Sequence, residues 1–203
     1  MASQIAHIVY AQKYFEKHPS KKNKDEFILG CLLPDIRRID ERIRRKDTHL
    51  CFDPIDLIFN NLTSFETGWK FHLYCDMKRE DILNRHNFYS LKYTTEFWQQ
   101  PAKMLEDELV YDTYNNWEKL YLYFNDPPYF ETVENMTQET FGLWYAILAQ
   151  YIREKPTNNS IKNFISKQPS IASHASDIVS AVDKLRKDDK VVEILKKVKD
   201  EIV

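Results

Sequence analysis

Three glycines in a chain of 203 residues narrow the choice of fold more than any other feature. Sheet proteins spend glycine on turns and bulges, where the backbone takes conformations that side chains oppose. A chain this poor in glycine is predicted to be all-α. Hydrophobic residues make up 43% of it and aromatic residues 14%, enough to fill one sizeable core. Residues 1–203 therefore read as a single all-helical domain, a multi-helix bundle. Within it, 1–86 is expected to carry a metal site, 87–155 an aromatic helical core, and 161–203 the C-terminal helices.

The formal charge of −2 gives no general pull toward nucleic acid or an anionic membrane, so any such attraction has to be local. Cys31, Cys51 and Cys75 are odd in number and contain no CxxC pair, which fits reduced thiols better than a disulfide framework. The start, Met-Ala-Ser-Gln, lacks a cationic head followed by a long apolar run. No secretory signal or membrane span is expected, and the expected location is cytoplasmic.

Along the chain, Ile5, Ile8, Val9, Ala11 and Phe15 recur at helical spacing behind Ser3, a residue suited to cap a helix reaching about Lys17. His7 falls beside that stripe. The apolar run from Glu26 is expected to stop at Pro34, with Asp35 just past the stop. Arg37 to Lys46 holds six basic residues in ten positions. It reads as a solvated loop or short helix that would also guide an anion to its neighbours. Asp47-Thr-His49 closes that run. From His86 onward, aromatics follow amphipathic spacing, so packing accounts for them before ligand stacking does. Pro156 to Ser160 is the expected exposed loop. No Gly-rich phosphate loop and no internal repeat is present.

The chemistry concentrates in Thr67 to Asp76, where His72 and Asp76 stand one turn apart and share a helix face. Gly68, one turn earlier, lets another backbone come close. His72 and Asp76 supply half of a metal site, and His7, Asp35 and His49 are the candidates for the rest. Imidazole and carboxylate suit zinc, and other divalent ions are accepted by the same donors. Such an ion lowers the pKa of bound water to about 7, giving a hydroxide nucleophile, and polarises a phosphoryl oxygen.

The order His7, Gly-Cys-Leu-Leu-Pro-Asp35, Thr-His49, Gly-Trp-Lys-Phe-His-Leu-Tyr-Cys-Asp76 resembles the metal-binding half of the zinc-dependent phospholipase C family. Single-strand-specific nucleases and many small bacterial proteins belong to the same superfamily. The resemblance implies an all-α bundle in which Asp35, His49, His72 and Asp76 hold one zinc, while His7 and a bridging Asp76 help to hold a second. Two departures stand out. The family's secreted members ligate through their processed N-terminal residue, a role not expected of Met1, and no His-x-x-x-Glu for a third metal occurs here. His86 is the only histidine in the region where that motif would lie.

The function expected is a metal-dependent phosphoester hydrolase, with a phosphoester small molecule or lipid headgroup as substrate and nucleic acid as a weaker candidate. Asp35 would orient or deprotonate the water, and Arg37, Arg38 and Arg45 would neutralise substrate charge. A histidine–aspartate phosphohydrolase would need an adjacent His-Asp pair, which the chain lacks. The competing expectation is a non-enzymatic helical protein, stapled by a structural metal and carrying a partner-binding surface.

Overall fold

The computed structural model describes residues 2–203. Ten α-helices follow one another in these residues, and no strand is found among them. They are α1 (Gln4–Lys17), α2 (Lys24–Leu32), α3 (Arg45–His49), α4 (Ser64–Arg85), α5 (Gln100–Val110), α6 (Trp117–Asn125), α7 (Gln138–Ile152), α8 (Asn158–Ser166), α9 (Ala175–Leu185) and α10 (Asp189–Glu201). The chain is thus an all-α single-domain bundle. None of these helices is long and apolar enough to cross a membrane, and the three cysteines are free thiols.

Side-chain caps set several helix starts. The Asn23 carbonyl oxygen accepts from the Asp25 and Glu26 amides at α2. Thr63 and Glu66 form a reciprocal capping box at α4, satisfying donors that the first turn leaves without partners. Pro156 to Ser160, expected as an exposed loop, instead opens α8. Thr157 is the N-cap and trades hydrogen bonds with Ser160, so polar residues that suggest a loop act here as a start signal.

Pro34 does not end the run from Glu26 in a simple stop. The helix tightens into a 3₁₀ turn over Leu33–Arg38, with the proline in its first turn, where its missing N–H would have had no partner. Ser3 occupies the N-cap position of α1, but its hydroxyl donates to Asp107 of α5 at 2.6 Å. Asp107 also accepts the Ala6 amide at 2.8 Å, so the cap of α1 comes from another helix.

α2 and α4 cross with their backbones in contact. A Cβ on Gly30 would lie 1.8 Å from the Phe65 carbonyl oxygen, and one on Gly68 would lie 1.8 Å from that of Phe27. Two backbones therefore touch, as the glycine before His72 suggested. Gly142 has no atom within 4 Å of its Cβ position and serves no such contact. Around the crossing, Phe27, Leu29, Phe65, Phe71, Phe141, Trp144 and Tyr145 are almost wholly buried.

Alanine normally gains about 1 kcal/mol over glycine inside a helix, but overpacking costs about 3 kcal/mol at the upper end of its usual range. At Gly68 the steric cost wins, because its obstacle is backbone. Gly68→Ala is expected to lose about 2 kcal/mol or more, or on the order of 4–8 °C in Tm. Gly142→Ala serves as the control, and thermal unfolding of the two variants checks the contrast.

Candidate metal centre

His7 comes from the first half of α1, and His72 and Asp76 come from one face of α4. The two imidazoles stack with centroids 4.0 Å apart and planes 18° from parallel. Asp76 lies across their edges: its Oδ1 is 3.4 Å from His7 Nε2, and its Oδ2 is 3.4 Å from His72 Nε2. One donor atom from each of the three residues falls within 4.8 Å of the others. Bonds of 2.0–2.1 Å in a tetrahedral zinc site put neighbouring donors about 3.3–3.4 Å apart, so both nitrogen–oxygen separations match such an edge.

The ring of His72 is oriented by main chain. Its Nδ1 lies 2.8 Å from the Cys31 carbonyl oxygen, which can only accept, so Nδ1 carries the proton and the Nε2 lone pair faces Asp76. That carbonyl is exposed to a side chain because the last four C=O groups of an α-helix lack helical partners. Trp144 Nε1 likewise donates to the Leu32 carbonyl at 3.0 Å, and the Tyr145 hydroxyl donates at 2.6 Å to that of Leu29, which also accepts the Leu33 amide.

Both ring nitrogens of His7 are buried without a hydrogen-bond partner, as is Nε2 of His72. Each unmet buried group costs about 1–3 kcal/mol, and a cation between the rings would satisfy the two that face Asp76. Burial, with His72 nearby, holds His7 down to about 4. The imidazole is therefore neutral and able to donate its lone pair at pH 7. Asp76 stays ionised: burial pushes its carboxyl up, but the positive charge and hydrogen bonds around it, those of His72 and His7 among them, hold it well below the ordinary range.

His49, at the end of α3, stands edge-on to His72 with centroids 5.5 Å apart. Its Nδ1 lies 2.8 Å from the Thr48 hydroxyl, its Nε2 is buried and unbonded, and burial lowers it to about 3. His49 and Asp76 line a cleft of about 290 Å³ together with Arg45, Ile55, Leu73, Met77 and Glu80. The expected ligand therefore sits next to the three-donor cluster and faces its mouth.

Asp35 is placed differently. Its Oδ2 accepts from Gln4 Nε2 at 2.7 Å and its Oδ1 lies 2.8 Å from Arg38 Nε, so the side chain is engaged by protein on both oxygens. Burial raises its pKa, but Arg38, His72, Arg37 and His49 outweigh that and keep it ionised. Of the three expected anion-binding arginines, Arg45 lines the cleft, Arg38 holds Asp35, and Arg37 is half-buried near both Asp35 and Asp76. His86 caps the far end of α4, about 21 Å from His72 at 1.5 Å per residue, and its Nε2 is 3.3 Å from Glu201. The expectation for Met1 lies outside the described residues.

Sequence reasoning did not single out Gln4, Lys103 or the Arg79–Glu106 pair. Arg79 and Glu106 are fully buried and joined by Arg79 Nε to Oε2 at 2.7 Å, with the Tyr10 hydroxyl donating to the same carboxylate. Lys103 is 2% exposed, and burial, reinforced by Arg38, lowers it to about 7. Only the helical register of α5 hinted at this, since Lys103, Glu106 and Asp107 share a face with Val110. The chain matches no protein-family model, no curated protein and no solved structure.

A histidine whose folded pKa is depressed takes up its proton more readily in the unfolded chain, so its contribution is present above pH 6.5 and is lost as pH falls toward its folded value. For His7 that window runs from 6.5 to about 4. In chelator-treated protein, His7→Asn is expected to reduce the acid loss of unfolding free energy across this range by up to about 1.4 kcal/mol per pH unit. Asp107, raised to about 7 by burial, acts with the opposite sign in both proteins, so the difference between their urea-unfolding curves isolates the imidazole.

Proposed function

We propose that this chain is a metal-dependent hydrolase acting on a phosphoester, with zinc as the best-suited ion. The observation that carries the reading is that His7, His72 and Asp76, drawn from two helices, each place a donor atom within 4.8 Å of the others beside an open cleft. Two imidazoles and a carboxylate form a borderline donor set of the kind zinc prefers. Three protein donors leave a coordination position for water or substrate. His49 Nε2 is the nearest candidate for a further nitrogen donor or for a hydrogen bond to the substrate.

An ion held there supplies a Lewis acid and an acidified water. The remaining tasks fall to the chain. Arg45, on the cleft wall, would balance the phosphoryl charge. Ile55, Leu73 and Met77 would cover an apolar substituent of the ester. Asp35, ionised and clamped by Gln4 and Arg38, is suited to orienting water more than to abstracting its proton, since a strongly depressed pKa makes a weak base. The donor set shares His7, His72 and Asp76 with the ligands that the resemblance to the zinc-dependent phospholipase C family implies, and differs from it in leaving Asp35 to Gln4 and Arg38.

A structural metal is the second reading, favoured by one observation: the donors belong to α1 and α4, so an ion would cross-link two helices. Elemental analysis and turnover of bis-p-nitrophenyl phosphate, a phosphatidylcholine analogue and single-stranded nucleic acid separate the two. The hydrolase reading expects stoichiometric zinc that is lost in His72→Ala and Asp76→Asn. It also expects kcat to fall by about 10²-fold or more in Asp35→Asn, with the metal retained. Bound metal without turnover on any substrate, together with a lower Tm on chelation, would establish the staple. Protein that takes up no divalent ion would sink both.

A further inference from the structure

The face of α7 that points away from the core is apolar and has no helix lying over it. No charged residue occurs between Glu139 and Arg153, so both sides of this helix are free of charge along most of its length. Phe141, Trp144, Tyr145 and Leu148 fill the core. On the other side, Leu143, Ala146, Ile147 and Gln150 recur at helical spacing and form one wall of a groove of about 500 Å³. The opposite wall is the polar stripe of α8, where Asn163 and Lys167 stand one turn apart. Phe164 lies between them, stacked on Tyr151 at 4.1 Å.

From this arrangement we propose that the groove between α7 and α8 binds a small amphipathic anion, an alkyl or aryl carboxylate, with its charge at Lys167 and its apolar body along Leu143, Ala146 and Ile147. Three features select this occupant. The volume lies inside the range of small-molecule sites, which are mostly apolar with a few convergent polar groups. Among the described residues Lys167 alone lines the groove with a charge, and no carboxylate does, so the local field favours a negative head. Past Ile39 and Leu143 the surface carries Glu139 and an Asp40–Arg42 ion pair closed at 2.6 Å, a net negative charge that leaves the Lys167 end as the better place for an anion's head.

A partner helix suits the groove less well. α8 has nine residues, about 13 Å of length, and a wall that short offers only two turns of contact. The site is separate from the metal centre, so its fate does not depend on the hydrolase reading.

The test uses the full chain and three probes of one chain length: decanoate, decanol and decyltrimethylammonium. Isothermal titration below their critical micelle concentrations is expected to show saturable one-to-one binding of decanoate, tighter than decanol and much tighter than the cation. Lys167→Glu should weaken decanoate by about tenfold or more, the loss of a charge-assisted contact, and reverse the preference toward the cation. Ala146→Trp should fill the groove and abolish binding, with Leu143→Asp as a second variant at a position 54% exposed that carries little folding risk. Absence of saturable decanoate binding would overturn the proposal. Equal affinity for decanoate and decanol, or wild-type affinity in Lys167→Glu, would do the same. A concentration-dependent dimer in light scattering that Leu143→Asp dissolves would give the groove to a second copy of the chain and also overturn it.

Discussion

The arrangement depends first on the contact between the backbones of α2 and α4. Glycine at positions 30 and 68 removes the two Cβ atoms that would otherwise meet carbonyl oxygens. The helices can then approach closely enough for the end of α2 to reach a side chain of α4. The result is the hydrogen bond from His72 to the Cys31 carbonyl, which selects the tautomer and turns the other nitrogen toward Asp76. Tyr145 and Trp144 of α7 meet neighbouring carbonyls, so a helix end that would be costly to bury is satisfied from two sides.

A second layer of buried polar groups holds α1 in place. Asp107 caps its start through Ser3 and Ala6, and Tyr10 joins the Arg79–Glu106 pair. Burying charge is expensive, and such pairs seldom add net stability over an apolar replacement. What they fix is position: Ser3, Ala6 and Tyr10 bracket His7 on α1, so the rotation and depth of that helix are set on either side of the imidazole. The same network extends through Gln4 to Asp35 and from there to Arg38, linking the 3₁₀ turn to α1. Within this layer both nitrogens of His7 lack a hydrogen bond, as does Gln4 Oε1, although most buried polar groups in folded proteins find a partner.

Much of this was legible in the residues, and the limits were physical. Scarce glycine pointed to helices, and helices are what formed. The His72 and Asp76 spacing gave a shared face because helical periodicity acts locally, and Gly68 marked a close approach for the same kind of reason. Relations between distant segments were harder to read. Asp35 reads in the sequence as a metal ligand and water-positioning carboxylate, because Gln4 and Arg38 become its partners only after folding. Lys103 gives no signal in the sequence, since lysine is seldom buried, and its burial follows from where α5 packs. Thr157 and Ser160 suggest a loop in the sequence, although the hydroxyls that favour loops are also the ones that cap helices. His86 was a question of length along one rigid rod, and the geometry of α4 puts it beside Glu201.

One consequence follows from the acceptor for His72 being a peptide oxygen and not a side chain. The thiol at position 31 can be exchanged for any group that fits the space without altering which imidazole nitrogen is protonated, since every residue carries the same carbonyl. The aim of that lone pair is therefore a property of the backbone path, insulated from drift in the side chain at position 31. A scan of substitutions there would pass over the residue that sets it.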